Sequence, residues 1–343
     1  MTMKRNKEHY RGCLFGGAVG DAFGSAVEFL SIDTIREKFG KYGITDLVSA
    51  ESGLAEITDD TQMTLFTAEG ILRANSINID TSVEQASLSV YYAYLRWLVT
   101  QGYPKFKDYD WIYNGSLLEV KELHASRAPG NTCLSALLSK GRGTFDKPLN
   151  SSKGCGGVMR VAPAGLAYPK EIAFKRAAEF AVITHGHPSG YLSAGVLAYI
   201  IASIIEGNTL EEAVVGALAV LKTHAEHEEC AVILEKAVEM VDSNLPDSEK
   251  IKVLGEGWVG EEALAIAVYC SLKHRDDFRK AIIASVNHNG DSDSTGAITG
   301  NILGAYLGLS SIPEEWVEKL EIRGVIMRMA DDLLSIYKRA GKS

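Results

Sequence analysis

Wherever apolar residues of this chain occur in numbers they recur every three or four positions, and almost nowhere do they alternate. The runs MTLFTAEGILRA (63–74), VEQASLSVYYAYLRWLV (83–99), IAFKRAAEFAVI (172–183), LEEAVVGALAVLKTH (210–224) and EEALAIAVYCSL (261–272) all carry the period of a helix with one buried face. Alternating β-branched runs, which a half-buried strand needs, are nearly absent. Prolines such as Pro104, Pro129, Pro148, Pro188 and Pro246 fall between the runs, where they end helices rather than break them. The spacing predicts an all-α globule.

Two stretches, RGCLFGGAVGDAFGSAVEF (11–29) and GAITGNILGAYLG (296–308), carry glycine and alanine at facing positions, which lets helix backbones approach closely in a compact core. No G-x-G-x-x-G follows a strand, so these glycines do not indicate a dinucleotide fold. With 343 residues, 46% of them hydrophobic and 23% charged, the chain can bury a large core. No Pro/Gly/Ser linker, repeat or low-complexity tract divides it, so the reading is one domain over 11–340 behind a polar arm, MTMKRNKEHY (1–10). The most membrane-like segment, PSGYLSAGVLAYIIASII (188–205), barely reaches the roughly 18–20 residues of a span and is diluted by serine and glycine. It reads as a buried core helix, with no membrane partner.

A net charge of −9 with scattered basic residues removes the electrostatic footprint of nucleic-acid binding. The five cysteines (Cys13, Cys133, Cys155, Cys230, Cys270) are odd in number and form no C-x-x-C, which indicates neither a disulfide framework nor a zinc site. The basic start runs into glycines and Asp21 rather than an apolar export segment, and a reducing cytoplasmic location is expected.

Chemistry concentrates in two acidic turns, TDDT (58–61) and GDSDSTG (290–296), each preceding a helical run. The spacing of Asp291, Asp293 and Gly296 suggests a calcium hand, but the twelfth position, which needs a bidentate Glu, is Ile302. Capping of each helix start is an ordinary reading of such residues. The alternative is convergence. Four carboxylates brought together repel unless cations neutralise them, and a donor set of carboxylate and hydroxyl oxygens suits magnesium or manganese. Both readings stand on the residues alone.

Five segments in order resemble the ADP-ribosylglycohydrolase family, of the dinitrogenase-reductase-activating and ADP-ribosylarginine hydrolase type. They are GGAVGDAFGSAVEF (16–29), ITDDTQMT (57–64), GCGGVMRVAP (154–163), THGHPSG (184–190) and NGDSDSTGAITGNILGAYLG (289–308). The resemblance implies an all-α fold around a central cleft holding two Mg2+ or Mn2+ ions. It assigns Thr58, Asp59, Asp60, Asp291, Asp293 and Ser294 as metal ligands, Thr295 as a capping residue, and Glu28 as a group for acid and base work; on the mechanism expected here Glu28 or Asp60 accepts or relays the proton. It also places the ADP-ribose diphosphate on the glycine-rich SSKGCGGVMR, against Ser152, Gly154, Cys155 and Gly156, and draws His185 toward ligand contact.

Departures from the family pattern matter too. Cys155 stands where many members have Asn, and Lys153 stands where they have an aromatic, which leaves Lys153 to pair with phosphate. Ala128 and Pro129 replace an aspartate given a ring-opening role in the nitrogenase-linked members. His187, His224 and His227 read as structural or surface groups. The implied activity is hydrolysis of the bond between ADP-ribose and a protein side chain, arginine favoured, with the loop 102–115 setting access. Hydrolysis of a free ADP-ribose conjugate uses the same chemistry. The competing class is an immunity module that blocks an ADP-ribosyltransferase toxin by direct contact.

Overall fold

The computed structural model describes residues 2–76 and 83–340. Sixteen α-helices appear among them: α1 (Lys7–Gly24), α2 (Ile32–Phe39), α3 (Asp59–Ser76), α4 (Val83–Thr100), α5 (Asn131–Leu138), α6 (Ala162–Ala167), α7 (Lys170–Ala181), α8 (Pro188–Ile205), α9 (Leu210–Leu221), α10 (Glu228–Met240), α11 (Asp247–Leu254), α12 (Gly260–Lys273), α13 (Phe278–Val286), α14 (Ser292–Leu307), α15 (Glu314–Lys319) and α16 (Arg323–Ala340). Among the described residues there is no strand. Two isolated bridges, Ala55 with Leu320 and Gly154 with Val259, staple loops together. All five runs with helical spacing are helices, shifted by a few residues at their ends because caps rather than apolar periodicity set the boundaries.

Side chains that satisfy free N–H groups explain several starts. Asn6 caps α1 by accepting from His9 N, Ser31 caps α2, and Thr209 with Glu212 forms a reciprocal capping box at α9. Helix α8 coincides with the apolar segment 188–205 and is buried almost all round, the property of a core helix. It packs on α6, α7, α9, α12 and α14.

The axis of the molecule is the antiparallel pair α1 and α14. Gly12, Gly16, Gly20 and Gly24 recur at four-residue intervals along one face of α1 and meet Gly304, Gly300, Gly296 and Ser292 of α14. A Cβ on Gly16 would overlap the carbonyl oxygen of Gly300, and a Cβ on Gly300 would overlap that of Gly16. Only hydrogen fits there. Asn301 adds a bond from its Nδ2 to Cys13 O at 2.8 Å. This contact sets the carboxyl end of α1, and Glu28 just beyond it, against the amino end of α14. The chain then turns at Phe29, whose φ of 65° lies in the left-handed region.

Candidate active site

Helix α3 starts where it does because its first turn is gripped from outside. Ala55 N–H donates to Lys319 O (2.8 Å), Glu321 N–H to Ala55 O (3.1 Å), and Ile57 N–H to a Glu321 carboxylate oxygen (2.8 Å). Arg127 closes this clasp by pairing with Glu321 and donating to Ile57 O at 2.7 Å. Asp21 of α1 then accepts from Thr58 N–H (3.0 Å), the Thr58 hydroxyl (2.7 Å), Thr61 N–H (3.1 Å) and the Thr61 hydroxyl. Thr58 Oγ1 in turn accepts from Asp60 N–H at 3.2 Å, so Thr58 caps α3 while Asp21 holds the turn from a distant helix, and the Asp59 and Asp60 side chains are not used by capping.

At the other start, Asp291 is the N-cap of α14: its Oδ1 accepts from Ser294 N–H at 3.2 Å. Its Oδ2 accepts from the Cys155 thiol at 2.7 Å. Asp293 Oδ1 also accepts from Ser294 N–H, at 2.8 Å. The capping role given to Thr295 is corrected here. Thr295 lies in the first turn, where its hydroxyl donates to Ser285 O (2.7 Å) and meets His288 Nε2 (2.9 Å), tying α13 to α14.

The two starts face one cleft of about 310 Å³, within the range of ligand pockets. Glu28, Asp59, Asp60, Asp291, Asp293 and Ser294 line it together with Gly154, Cys155, Gly156 and His185. Two of the expected residues do not reach its surface. Thr58 turns its hydroxyl to Asp21, and Ser152 turns its own to Thr132 (3.2 Å). A larger cavity, about 470 Å³, opens beside Trp111 and Tyr92 and has no acid among its lining residues.

Electrostatically the cleft is one-sided. Burial, and then the charge of Asp293, push Asp59 and Asp60 well above the usual carboxylate range; burial and Asp291 do the same to Asp293. Glu28 is pushed up to about 9, by burial first and Asp293 second. None of the described lining residues is a lysine or arginine. Asp60 Oδ2 is buried without a hydrogen-bond partner, a costly state for a carboxylate unless a cation meets it. Among the described residues no group of three or more His, Cys, Asp or Glu side chains is already arranged to hold an ion. The four aspartates and Ser294 offer an oxygen donor set with an orphaned carboxylate, which suits a hard divalent cation.

The family model for ADP-ribosylglycohydrolase matches residues 2–342. The chain belongs to that family. A relative, the ADP-ribosylarginine hydrolase Tri1 of Serratia proteamaculans, is 27% identical over 94% of this chain and 78% of its own length. The ADP-ribosyl-[dinitrogen reductase] glycohydrolase of Rhodospirillum rubrum is 25% identical over 95% of both chains. A solved structure titled ADP-ribosylglycohydrolase-related protein complex shares the fold, with a TM-score of 0.63 at 24% identity over 97% of this chain and 99% of that one.

In this ADP-ribosylglycohydrolase the glycine-rich segment on which the resemblance places the diphosphate has two of its backbone N–H groups already engaged. Cys155 N–H is taken by Trp258 O (3.2 Å) and Gly154 N–H by Ser152 Oγ (3.3 Å). Lys153 does not wait for phosphate: its Nζ lies 2.5 Å from both Glu229 and Glu261. His185 is buried, and its Nε2 sits under the turn, 3.5 Å and 3.3 Å from where Cβ atoms of Gly154 and Gly156 would stand. His187 caps α8, His224 stacks on Phe174 at 4.6 Å, and His227 bonds His224 O, all structural roles.

Sequence reasoning missed three parts of the hydrolase site. Asp21 carries the grip on α3; its only signal was a lone acid inside a helix otherwise of small and apolar residues. Phe29 and Trp258 stack at the cleft wall with centroids 5.5 Å apart; nothing local marks a pair 229 positions apart. Gly130 N–H holds Asp59 Oδ2 at 3.1 Å from the loop in which Ala128 and Pro129 stand, so that loop positions an acid although it supplies none.

Proposed function

We propose that this enzyme hydrolyses the glycosidic bond joining ADP-ribose to a protein arginine, using two magnesium or manganese ions. The observation that carries the reading is the meeting of four aspartates from two helix starts in one cleft, with Asp60 Oδ2 unpartnered. Asp59, Asp60, Asp291, Asp293 and Ser294 would hold the cations, and Thr58 shapes the turn from behind through Asp21. Divalent cations, when bound, neutralise these acids and supply Lewis-acid polarisation.

The remaining steps belong to the chain. Glu28 stands at the cleft beside these acids, where burial raises its carboxyl, and it is the group assigned to hand a proton to a leaving nitrogen. Asp60 is the alternative proton acceptor. The glycine turn at Gly154–Gly156 receives the diphosphate with His185 beneath it. The choice of arginine rests on the two relatives named for arginine and dinitrogen reductase.

The test is turnover of ADP-ribosylated arginine, ADP-ribosylated serine and a free ADP-ribose ester, each with magnesium, manganese and a chelator. Fastest release from arginine, abolished by chelator, supports the proposal. Release from serine or the ester alone overturns the acceptor assignment. Full protection against a transferase toxin by a variant with Asp60 and Asp293 replaced by alanine would instead mark a blocking protein.

A further inference from the structure

Arg160 ends the glycine-rich segment and is fully buried. Among the described residues no carboxylate pairs with it. Its Nη1 meets Cys133 Sγ (3.2 Å) and Met63 Sδ (3.6 Å), its Nη2 donates to Thr184 Oγ1 (2.7 Å) and Phe180 O (3.3 Å), and the guanidinium lies 4.3 Å over the Tyr94 ring. Nε has no partner. An uncompensated buried cation is costly to keep, and its position, directly behind two residues that line the cleft, gives it a use.

Hydrogen-bond direction along this chain of groups sets the tautomer of His185. A guanidinium only donates, so Thr184 Oγ1 is its acceptor and the hydroxyl proton must go elsewhere. The neighbour within reach is His185 Nδ1 at 2.8 Å; the Cys133 sulfur is a far weaker acceptor. An imidazole that accepts at Nδ1 carries its proton on Nε2. Burial, and then the charge of Arg160, push His185 down to about 3, so the ring does not take a second proton. The Nε2 atom is the one beneath Gly154 and Gly156.

We infer that Arg160 is a positioning residue: through Thr184 it holds His185 as a neutral Nε2–H donor under the glycine turn, where that donor and the buried positive charge receive a phosphoryl oxygen of ADP-ribose. This rests on the functional reading above, and it names the donor end of the ring rather than a proton-transfer role. The cation sits behind the wall, where Cys133 and His185 stand between it and the cleft. The same charge would be wasted on a solvent-exposed loop, since water screens it there.

The experiment reads the ring directly. Nitrogen chemical shifts of His185 in the full-length wild-type chain are expected to show an unprotonated Nδ1 and a protonated Nε2 at neutral pH. Binding of free ADP-ribose, followed by calorimetry, is expected to weaken roughly tenfold or more in Thr184→Val, with the folded spectrum retained, and to recover in Thr184→Ser, the loss of one charge-assisted hydrogen-bond chain. A wild-type ring protonated on Nδ1, or a folded Thr184→Val variant with unchanged tautomer and affinity, overturns the inference. Failure of the wild-type protein to bind ADP-ribose at all overturns the functional reading instead, while the tautomer measured on the free chain still decides the role of Arg160 on the ring.

Discussion

Asp21 takes two backbone and two hydroxyl hydrogen bonds from the first turn of α3, and burial pushes its carboxyl up to about 6 despite them. Removing it strands four donors in a dry interior. Asp21→Ala is therefore expected to lower stability by about 3 kcal/mol in urea unfolding, and to weaken manganese binding as Asp59 and Asp60 lose their fixed turn. Asp60 has the opposite character. Its Oδ2 lacks a partner and the charges of Asp293, Asp21, Asp59 and Asp291 bear on it. Asp60→Asn is expected to raise the melting temperature of the metal-free protein by roughly 2–4 °C, yet to abolish the further rise that manganese gives the wild type. At this scale the acids of both turns were legible as polar helix starts, with capping and cation binding both open on the residues alone. Asp21 was not, because a single buried acid in a glycine-rich helix carries no periodic signal.

Between elements, the α1–α14 contact tolerates no side chain. Gly16→Ala places a Cβ against the Gly300 carbonyl, which can move only by parting the helices. A loss of about 3 kcal/mol is expected, together with lower hydrolysis because Glu28 follows the end of α1 while Asp293 lies in the first turn of α14. Gly324, with nothing within 4 Å of a built Cβ, is the control: its replacement by alanine should change stability by less than about 1 kcal/mol. A second contact is electrostatic. Asp331 of α16 bonds Arg11 Nε (2.8 Å) and Nη2 (2.7 Å) and Lys7 Nζ (2.9 Å) of α1, and the Arg11 bond holds its carboxyl down to about 2. A group with a lowered folded pKa stabilises above its unfolded value, about 4, and loses that contribution as pH falls toward the folded value. The wild type should thus exceed Asp331→Asn in stability at pH 7 by about 1 kcal/mol, with the gap closing between about pH 4 and pH 2 in denaturant titrations. The glycine spacing announced close helices; which helix each would meet was not written in it, since small faces are alike until packed.

Across the whole molecule, the all-α class followed from periodicity because every long helix must bury a face, and that demand is printed along the chain. The meeting of residues 58–61 with 290–296 was carried by family resemblance rather than local pattern, because convergence of distant turns is a property of packing. The clasp of Glu321 and Arg127, the stacked Phe29 and Trp258, and the fate of Lys153 between two glutamates belong to the same class of facts. Hydrolysis, as proposed, requires the two helix starts to share divalent cations. An anomalous diffraction map from crystals of the wild-type protein soaked in manganese tests this most directly. Density between Asp59 and Asp60 on one side and Asp291 and Asp293 on the other is the predicted result; the same acids standing with no ion between them at saturating manganese would contradict it.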